Sequence, residues 1–375
     1  MKQASRARVL WVVDHVDASI GSFTNLVRLL RYLDRDAFEV VAVVPARGSC
    51  GGALQAHGVR VLYRPLVASG RNLPYLSAVI AAWRLLQREA IALLYFTDYV
   101  RWRPAELPAA RWARVPAVVR FGAPPSTGGA ADPSLLGARA IIATSRAALQ
   151  PLRGRLPDAR LHVVHPCIDF DRFGAGGDHR GAFFPRATPI VGFVGIFRPE
   201  KGVEEFLDMA ALLRTRRPDV RYLAVGGDSA GATRNWLARM QEHAAALGIA
   251  DVVHFTGLRT DIPEMMRTVD VLVVPSLTEA FGAVIVEANA VGTPVVAFAV
   301  GGIPEVLEHE VTGLLVPPRD VAATAAAVQR ALEDGAWRAR VAAAAPARVR
   351  ARFDPAEQAR ATEAIWRAAL APTVP

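Results

Sequence analysis

The 375-residue chain is 52% apolar, 21% charged and 7% aromatic, which suits two domains with sizeable cores and excludes general disorder. Its two cysteines, Cys50 and Cys167, show no metal-ligand or redox spacing and read as free thiols in a reducing cytoplasm. The net charge of +9 is uneven: residues 1–183 hold 24 basic and 13 acidic side chains, net +11, whereas residues 184–375 hold 20 and 22, net −2.

In chain order, short apolar runs at 9–13, 40–44, 59–62, 91–96, 117–120, 141–143 and 162–164 read as strands, with helical periodicity at 23–33 and 75–88. The first run is five residues long and stops at Asp14, too short for a signal peptide. A second series follows at 189–194, 220–225, 252–255, 271–274, 294–298 and 313–316, with helices at 203–214, 233–247, 262–268 and 283–290. Continuous Val/Ile/Leu strands alternating with helices predict parallel sheets covered on both faces. The longest apolar stretch, 280–302, is broken by Glu287, Asn289, Pro294 and glycines, so it does not read as a membrane span. The glycine- and proline-punctuated stretch 172–189 marks the expected boundary. The expected organisation is a first domain at 1–183, a second at 184–352, and a terminal segment at 353–375. Beyond residue 321 the chain reads as alanine-rich helices at 322–332 and 336–345. A last helix follows at 355–370, with Asp354 as its cap and Pro355 at its first position.

The segment Pro275-Ser-Leu-Thr-Glu-Ala-Phe-Gly-Ala-Val-Ile-Val-Glu287 carries the strongest chemical signal. A buried strand ends in a loop with Glu279, Phe281 and Gly282, and a helix then starts and carries Glu287. A helix start offers the unpaired N–H groups of Phe281, Gly282 and Ala283 to a phosphate, and Gly282 lets backbone approach a ligand closely. Glu279 and Glu287, eight residues apart, suit sugar and ribose hydroxyls. By themselves, two such glutamates read as surface residues flanking an ordinary strand–loop–helix unit.

This segment resembles the Glu-x7-Glu signature of the retaining glycosyltransferases of family 4. Other stretches match the same family in order: Val164-His-Pro-Cys-Ile-Asp-Phe-Asp-Arg-Phe173, Gly192-Phe-Val-Gly-Ile-Phe-Arg-Pro-Glu-Lys-Gly202, Phe255-Thr-Gly257, Gly301-Gly-Ile-Pro-Glu305 and Thr312-Gly-Leu-Leu-Val-Pro-Pro-Arg319. The resemblance implies a GT-B fold: two Rossmann-like, doubly wound α/β domains facing across a cleft. The second domain would bind a nucleotide diphosphate sugar and the first a glycan, lipid-linked or small-molecule acceptor. It implies that the last helix packs back toward the first domain. It also implies no cofactor and no metal, in keeping with the lack of Asp-x-Asp or Cys/His ligand spacing.

Carried over residue by residue, the resemblance assigns Lys201 to the donor phosphate. Lys201 is one of two lysines among 44 basic residues. Arg198 takes the second positive place, since Ile196 stands where the family often has arginine. Glu287 matches the ribose carboxylate and Glu279 the donor-sugar carboxylate, with Val284 packing on the nucleotide. In the first domain, Ser19-Ile-Gly-Ser-Phe-Thr24 resembles the glycine loop, with Gly21 alone remaining of the usual pair. Phe121 replaces a frequent histidine. His15 and Asp98 follow strands at the same edge, and Arg101 and Arg103 lie in an aromatic–basic run, 95–103, suited to an acidic acceptor. No nucleic-acid motif accompanies that run.

The expected function is retaining, metal-independent sugar transfer by a cytoplasmic protein, with the +11 half touching an anionic membrane face. A binding or partner subunit without catalysis is the alternative, prompted by Phe121 and the lone Gly21. A sugar-nucleotide epimerase or phosphorylase is a third reading.

Overall fold

A computed structural model of the chain describes residues 6–17, 21–66, 73–97, 104–121, 135, 137–174, 176–228 and 235–372. They fall into two compact units, Met1–Cys167 with Phe353–Pro375, and Ile168–Arg352.

In the first unit, the described residues form strands β1 (Ala7–Val12), β2 (Phe38–Val44), β3 (Arg60–Tyr63), β4 (Leu93–Phe96), β5 (Ala117–Phe121), β6 (Ala140–Ala143) and β7 (Leu161–Val163). They pair in parallel in the order β3-β2-β1-β4-β5-β6-β7. The unbroken apolar runs have a simple cause. Side chains alternate faces along a strand, and both faces are covered. Leu10, Val12, Val41, Val43, Leu94 and Phe96 enter one core, while Val9, Trp11, Ala42, Val44, Leu93 and Tyr95 enter the other.

The second of these cores is closed by helix Pro355–Leu370, whose Ala359, Ile365, Trp366 and Ala369 pack into it. Trp366 is fully buried edge-on against Tyr95 and Phe38, at ring distances of 5.1 and 5.3 Å. Asp354 caps the helix, accepting from the N–H groups of Ala356 and Glu357 at 2.9 and 3.0 Å. Glu363 accepts from the Asp34 N–H at 2.6 Å and anchors the far end. The terminal segment therefore belongs to the first unit.

Helices Leu73–Arg88 and Glu106–Ala113 lie on the other face of this sheet. Glu106 opens the shorter helix with a buried carboxyl, and burial pushes it from the ordinary 4.5 up to about 6. Because the folded value exceeds the unfolded one, the protonated side chain contributes stability that is full below pH 4.5 and lost as pH rises through about 6. The gap corresponds to roughly 2 kcal/mol. Glu106→Gln is expected to raise the melting temperature above pH 7 and to leave it nearly unchanged at pH 4. An equal effect at both pH values in thermal denaturation would contradict this.

In the second unit, the described residues form strands β8 (Ile190–Val194), β9 (Arg221–Val225), β10 (Val253–Gly257), β11 (Val271–Val274), β12 (Val295–Phe298) and β13 (Gly313–Val316), all parallel, in the order β10-β9-β8-β11-β12-β13. The division between units falls at Cys167 and Ile168, ahead of the expected 172–189 stretch. That stretch is folded into the second unit. Phe170 and Phe173 are buried, and Arg180 grips Asp270 through two bonds of 3.1 and 2.9 Å, while Asp270 also accepts from the Ile190 N–H. Glycine and proline thus punctuate a packed segment rather than a linker.

Helix Gly335–Arg352 also departs from expectation, running through Pro346 instead of stopping at 345. A proline inside a helix removes one N–H and strands the carbonyl four residues before it. Here that carbonyl belongs to Ala342, and Gly292 packs closely against it. Arg348 and Arg352 beyond the proline hold Glu308 at 2.6 and 3.1 Å, so the last turns stay anchored.

Candidate functional site

The strand order of the second unit reverses between β8 and β11. Loops leaving neighbouring strands at such a point diverge, opening a crevice at the carboxyl edge where open α/β sheets bind ligands. The loop after β8 supplies Lys201, and the loop after β11 supplies Glu279. Lys201 Nζ donates to Glu279 Oε2 at 2.7 Å. Phe193, Val194 and Gly195 from β8 and its loop line the same pocket, as do Ser276, Ala283 and Val284 from the β11 side.

Backbone geometry explains why these two side chains meet. Gly202, with φ +72°, ends the short turn Pro199–Lys201. A Cβ there would sit 1.8 Å from the Pro275 carbonyl oxygen, so the two loops touch backbone to backbone. The Leu277 N–H donates to the Glu200 carbonyl at 3.0 Å across the same seam. On the other side, the Gly302 N–H donates to the Glu279 carbonyl at 3.0 Å, and a Cβ on Gly301 would lie 1.9 Å from that oxygen. Glu279 is thereby fixed at its backbone from one side and at its carboxylate from the other. Its side chain is 14% exposed and that of Lys201 is 37%, so the pair is partly shielded from water and open to a ligand.

Gly282, at φ +91°, precedes helix Ala283–Ala290 and caps it without a side-chain bond. The first N–H groups of the helix point away from its body toward the pocket end. Ala283 and Val284 line the pocket, and Phe281 is buried beside them. Glu287 is half-buried one turn further along, on the helix face of Ala283, four residues before it. It lies next to the pocket lining rather than in it. Arg198 is exposed at the head of the Lys201 turn, 3.7 Å from Glu200, and does not line the pocket. Among the described residues, no group of three His, Cys, Asp or Glu side chains could hold a metal ion.

In the first unit the strand order reverses between β1 and β4. His15 follows β1 and lies 3.2 Å from Asp14. Gly21 begins helix Gly21–Leu30, and Phe121 ends β5. Asp98, Arg101 and Arg103 lie outside the described residues. Sequence reasoning named the two carboxylates and the lysine but assigned no task to Gly202, Gly301 or Ser276. The signal for the first two was their place in the matched Lys201-Gly202 and Gly301-Gly302 stretches.

Two family models match in succession along the chain: Glycosyltransferase Family 4 over residues 21–172, and Glycosyl transferases group 1 over residues 178–348. A D-inositol 3-phosphate glycosyltransferase of Salinispora tropica is 39% identical over 198 residues, which is 49% of this chain and 41% of that protein. One of Mycobacteroides abscessus is 42% identical over 164 residues, covering 42% of this chain and 36% of that protein. The matched part of the chain thus spans well under half the length of these curated relatives. Among solved structures, a glycosyltransferase from Rickettsia africae superposes with a TM-score of 0.85 at 18% identity, over 99% of this chain and 100% of that one. Anabaena HepE in complex with UDP gives 0.80 at 24% identity, over 96% of this chain and 100% of that one. These likenesses show the GT-B fold. With both halves matched in order, the chain belongs to the family 4 glycosyltransferases.

Proposed function

We propose that this chain transfers a sugar from a nucleotide diphosphate sugar to an acceptor hydroxyl, with retention of configuration and without a metal or other cofactor. The observation that carries the reading is the Lys201–Glu279 contact at the sheet reversal, beside a helix start. Lys201 and the N–H groups near Gly282 meet the diphosphate, joined by Arg198 as the donor settles. Glu287 takes the ribose hydroxyls and Val284 packs on the nucleotide. Once the diphosphate draws Lys201, Glu279 is released to accept hydroxyl protons from the donor sugar. Charge develops on the departing diphosphate, so fixed positive groups aimed at it lower the barrier. The departing phosphate oxygen takes the acceptor proton, which removes the need for a separate base and delivers the acceptor to the face the leaving group vacates.

A thermal-shift panel of nucleoside diphosphates and nucleotide sugars, run in chelator, tests this reading. One nucleotide series is expected to raise the melting temperature, and its sugar to be transferred with the donor's anomeric configuration. No stabilisation by any nucleotide, or an inverted product, would contradict it.

For the acceptor, His15, Asp98, Arg101, Arg103 and the Gly21 turn belong to the first unit, whose charge favours an anionic partner. Arg47, Arg64, Arg84 and Arg88 gather around one groove beside β3. The name of the curated relatives puts a phosphorylated polyol among the acceptors to try first. Glycans and lipid-linked acceptors follow. No helix among the described residues is long and apolar enough to cross a membrane. A cytoplasmic protein touching the anionic inner membrane face through this basic surface is expected to sediment with anionic vesicles at low salt and to be released at high salt. Vesicles that never retain it would contradict the contact.

A further inference from the structure

A second cavity, of about 360 Å³, opens at the carboxyl edge of the first unit's sheet. Its walls come from β2 (Val43), the residues after β3 (Arg64, Pro65), helix Leu73–Arg88 (Ser77, Ala78) and the first residue of helix Glu106–Ala113. Glu106 is 9% exposed, and its Oε2 has no hydrogen-bond partner among the described residues. Buried carboxylates in native proteins are almost always satisfied, so an orphaned oxygen lining a cavity marks a place for a hydrogen-bond donor.

The remaining polar groups narrow the chemistry. Arg64 donates to the Ala81 carbonyl at 3.4 Å, and its positive charge acts on Glu106, offsetting part of the burial that favours the protonated carboxyl. Ser77 Oγ donates to the Pro74 carbonyl at 2.8 Å, which leaves its lone pairs as acceptors. The cavity therefore offers acceptors at Glu106 and Ser77, donors at Arg64, charges that cancel, and apolar walls. An ammonium group would satisfy Glu106 but oppose Arg64, and a phosphate would do the reverse. A hydroxyl both donates and accepts, and a ring bearing several hydroxyls presents C–H faces to Val43, Pro65 and Ala78.

We propose that this cavity binds a neutral polyol ring, a sugar or cyclitol unit, through Glu106 and Arg64. Under the glycosyltransfer reading, on which this role rests, the occupant is the hydroxyl-bearing ring of the acceptor. The binding itself requires no donor. The test is calorimetric titration of the full chain, free of nucleotide, with methyl glucoside, myo-inositol, glycerol, putrescine and inorganic phosphate. A ring polyol is expected to bind more tightly than the other three. Glu106→Leu, which replaces the orphan with an apolar side chain, should fold at least as stably and lose about tenfold or more in ring affinity, as the loss of a charge-assisted hydrogen bond would give. Arg64→Met provides a second variant with the same expected loss. The proposal fails if neither ring polyol binds, if putrescine or phosphate binds more tightly, or if both variants bind the ring like the wild type. Nucleotide thermal shifts on the same samples keep the outcomes apart. Retained donor stabilisation with no ring binding overturns this site alone.

Discussion

Alanine at Lys201 or at Glu279 is expected to lower sugar transfer by about 10²–10³-fold each, the usual effect of removing one fixed group that stabilises developing charge. Both side chains are partly open to the pocket and neither sits in a hydrophobic core, so the fold should persist. They bond to each other at 2.7 Å in the free protein, but with donor bound Lys201 meets the diphosphate and Glu279 the sugar, so their effects on transfer should add. The double variant is expected to lose roughly the product of the two single losses. Initial rates with a donor identified by thermal shift, alongside melting temperatures, check both statements. Unchanged transfer in either variant would remove that residue from the site.

The second large effect comes from Gly202, which does not line the pocket. Gly202→Ala introduces a Cβ 1.8 Å from the Pro275 carbonyl oxygen at a backbone φ of +72°, a combination that neither a rotamer change nor a small shift relieves. The loops after β8 and β11 must part, with an expected loss of roughly 3–5 kcal/mol in the second unit's stability. Donor affinity should fall with it, since Lys201 then loses its place in the pocket lining. Gly52→Ala is the control. Gly52 lies in helix Ser49–Ala56, and a Cβ there meets nothing within 4 Å. That change is expected to be neutral or mildly stabilising. Denaturant unfolding of the two variants measures the contrast, and equal stability would refute the account of how the loops are held.

The strands were legible because parallel sheets buried on both faces leave unbroken Val/Ile/Leu runs, and every run from 9–13 to 313–316 overlaps a strand. Helices with a clear 3.6-residue pattern, such as Val203–Arg214 with Val203, Phe206, Leu207, Ala210 and Leu213 buried, were legible for the matching reason. Helix Ser49–Ala56 was not, since Gly51 and Gly52 lower its helical signal. Gly51 answers to a tertiary demand: a Cβ there would meet the Tyr63 hydroxyl at 2.3 Å. The division between units at Cys167 and Ile168 lies a few residues ahead of the glycine- and proline-marked stretch, because such residues mark turns inside packed segments as well as between them. In the site, the charged residues stood out by type and spacing. The glycines that position them carry meaning only through backbone atoms distant in sequence, as with Gly301 and the Glu279 carbonyl. Glu106 resembles an ordinary acidic residue in the first turn of a helix, and only burial with one carboxylate oxygen unbonded among the described residues distinguishes it.

The assignment of Glu287 to the donor ribose is tested most directly by a two-by-two binding cycle. The nucleoside diphosphate found to stabilise the protein and its 2′,3′-dideoxy analogue are titrated by calorimetry into wild type and Glu287→Ala. The account predicts that wild type prefers the ribose form by about tenfold or more, and that the variant binds both forms alike, a coupling of roughly 1.5–3 kcal/mol for hydrogen bonds to a carboxylate. An undiminished preference for ribose in Glu287→Ala would contradict the placement of the donor at this site.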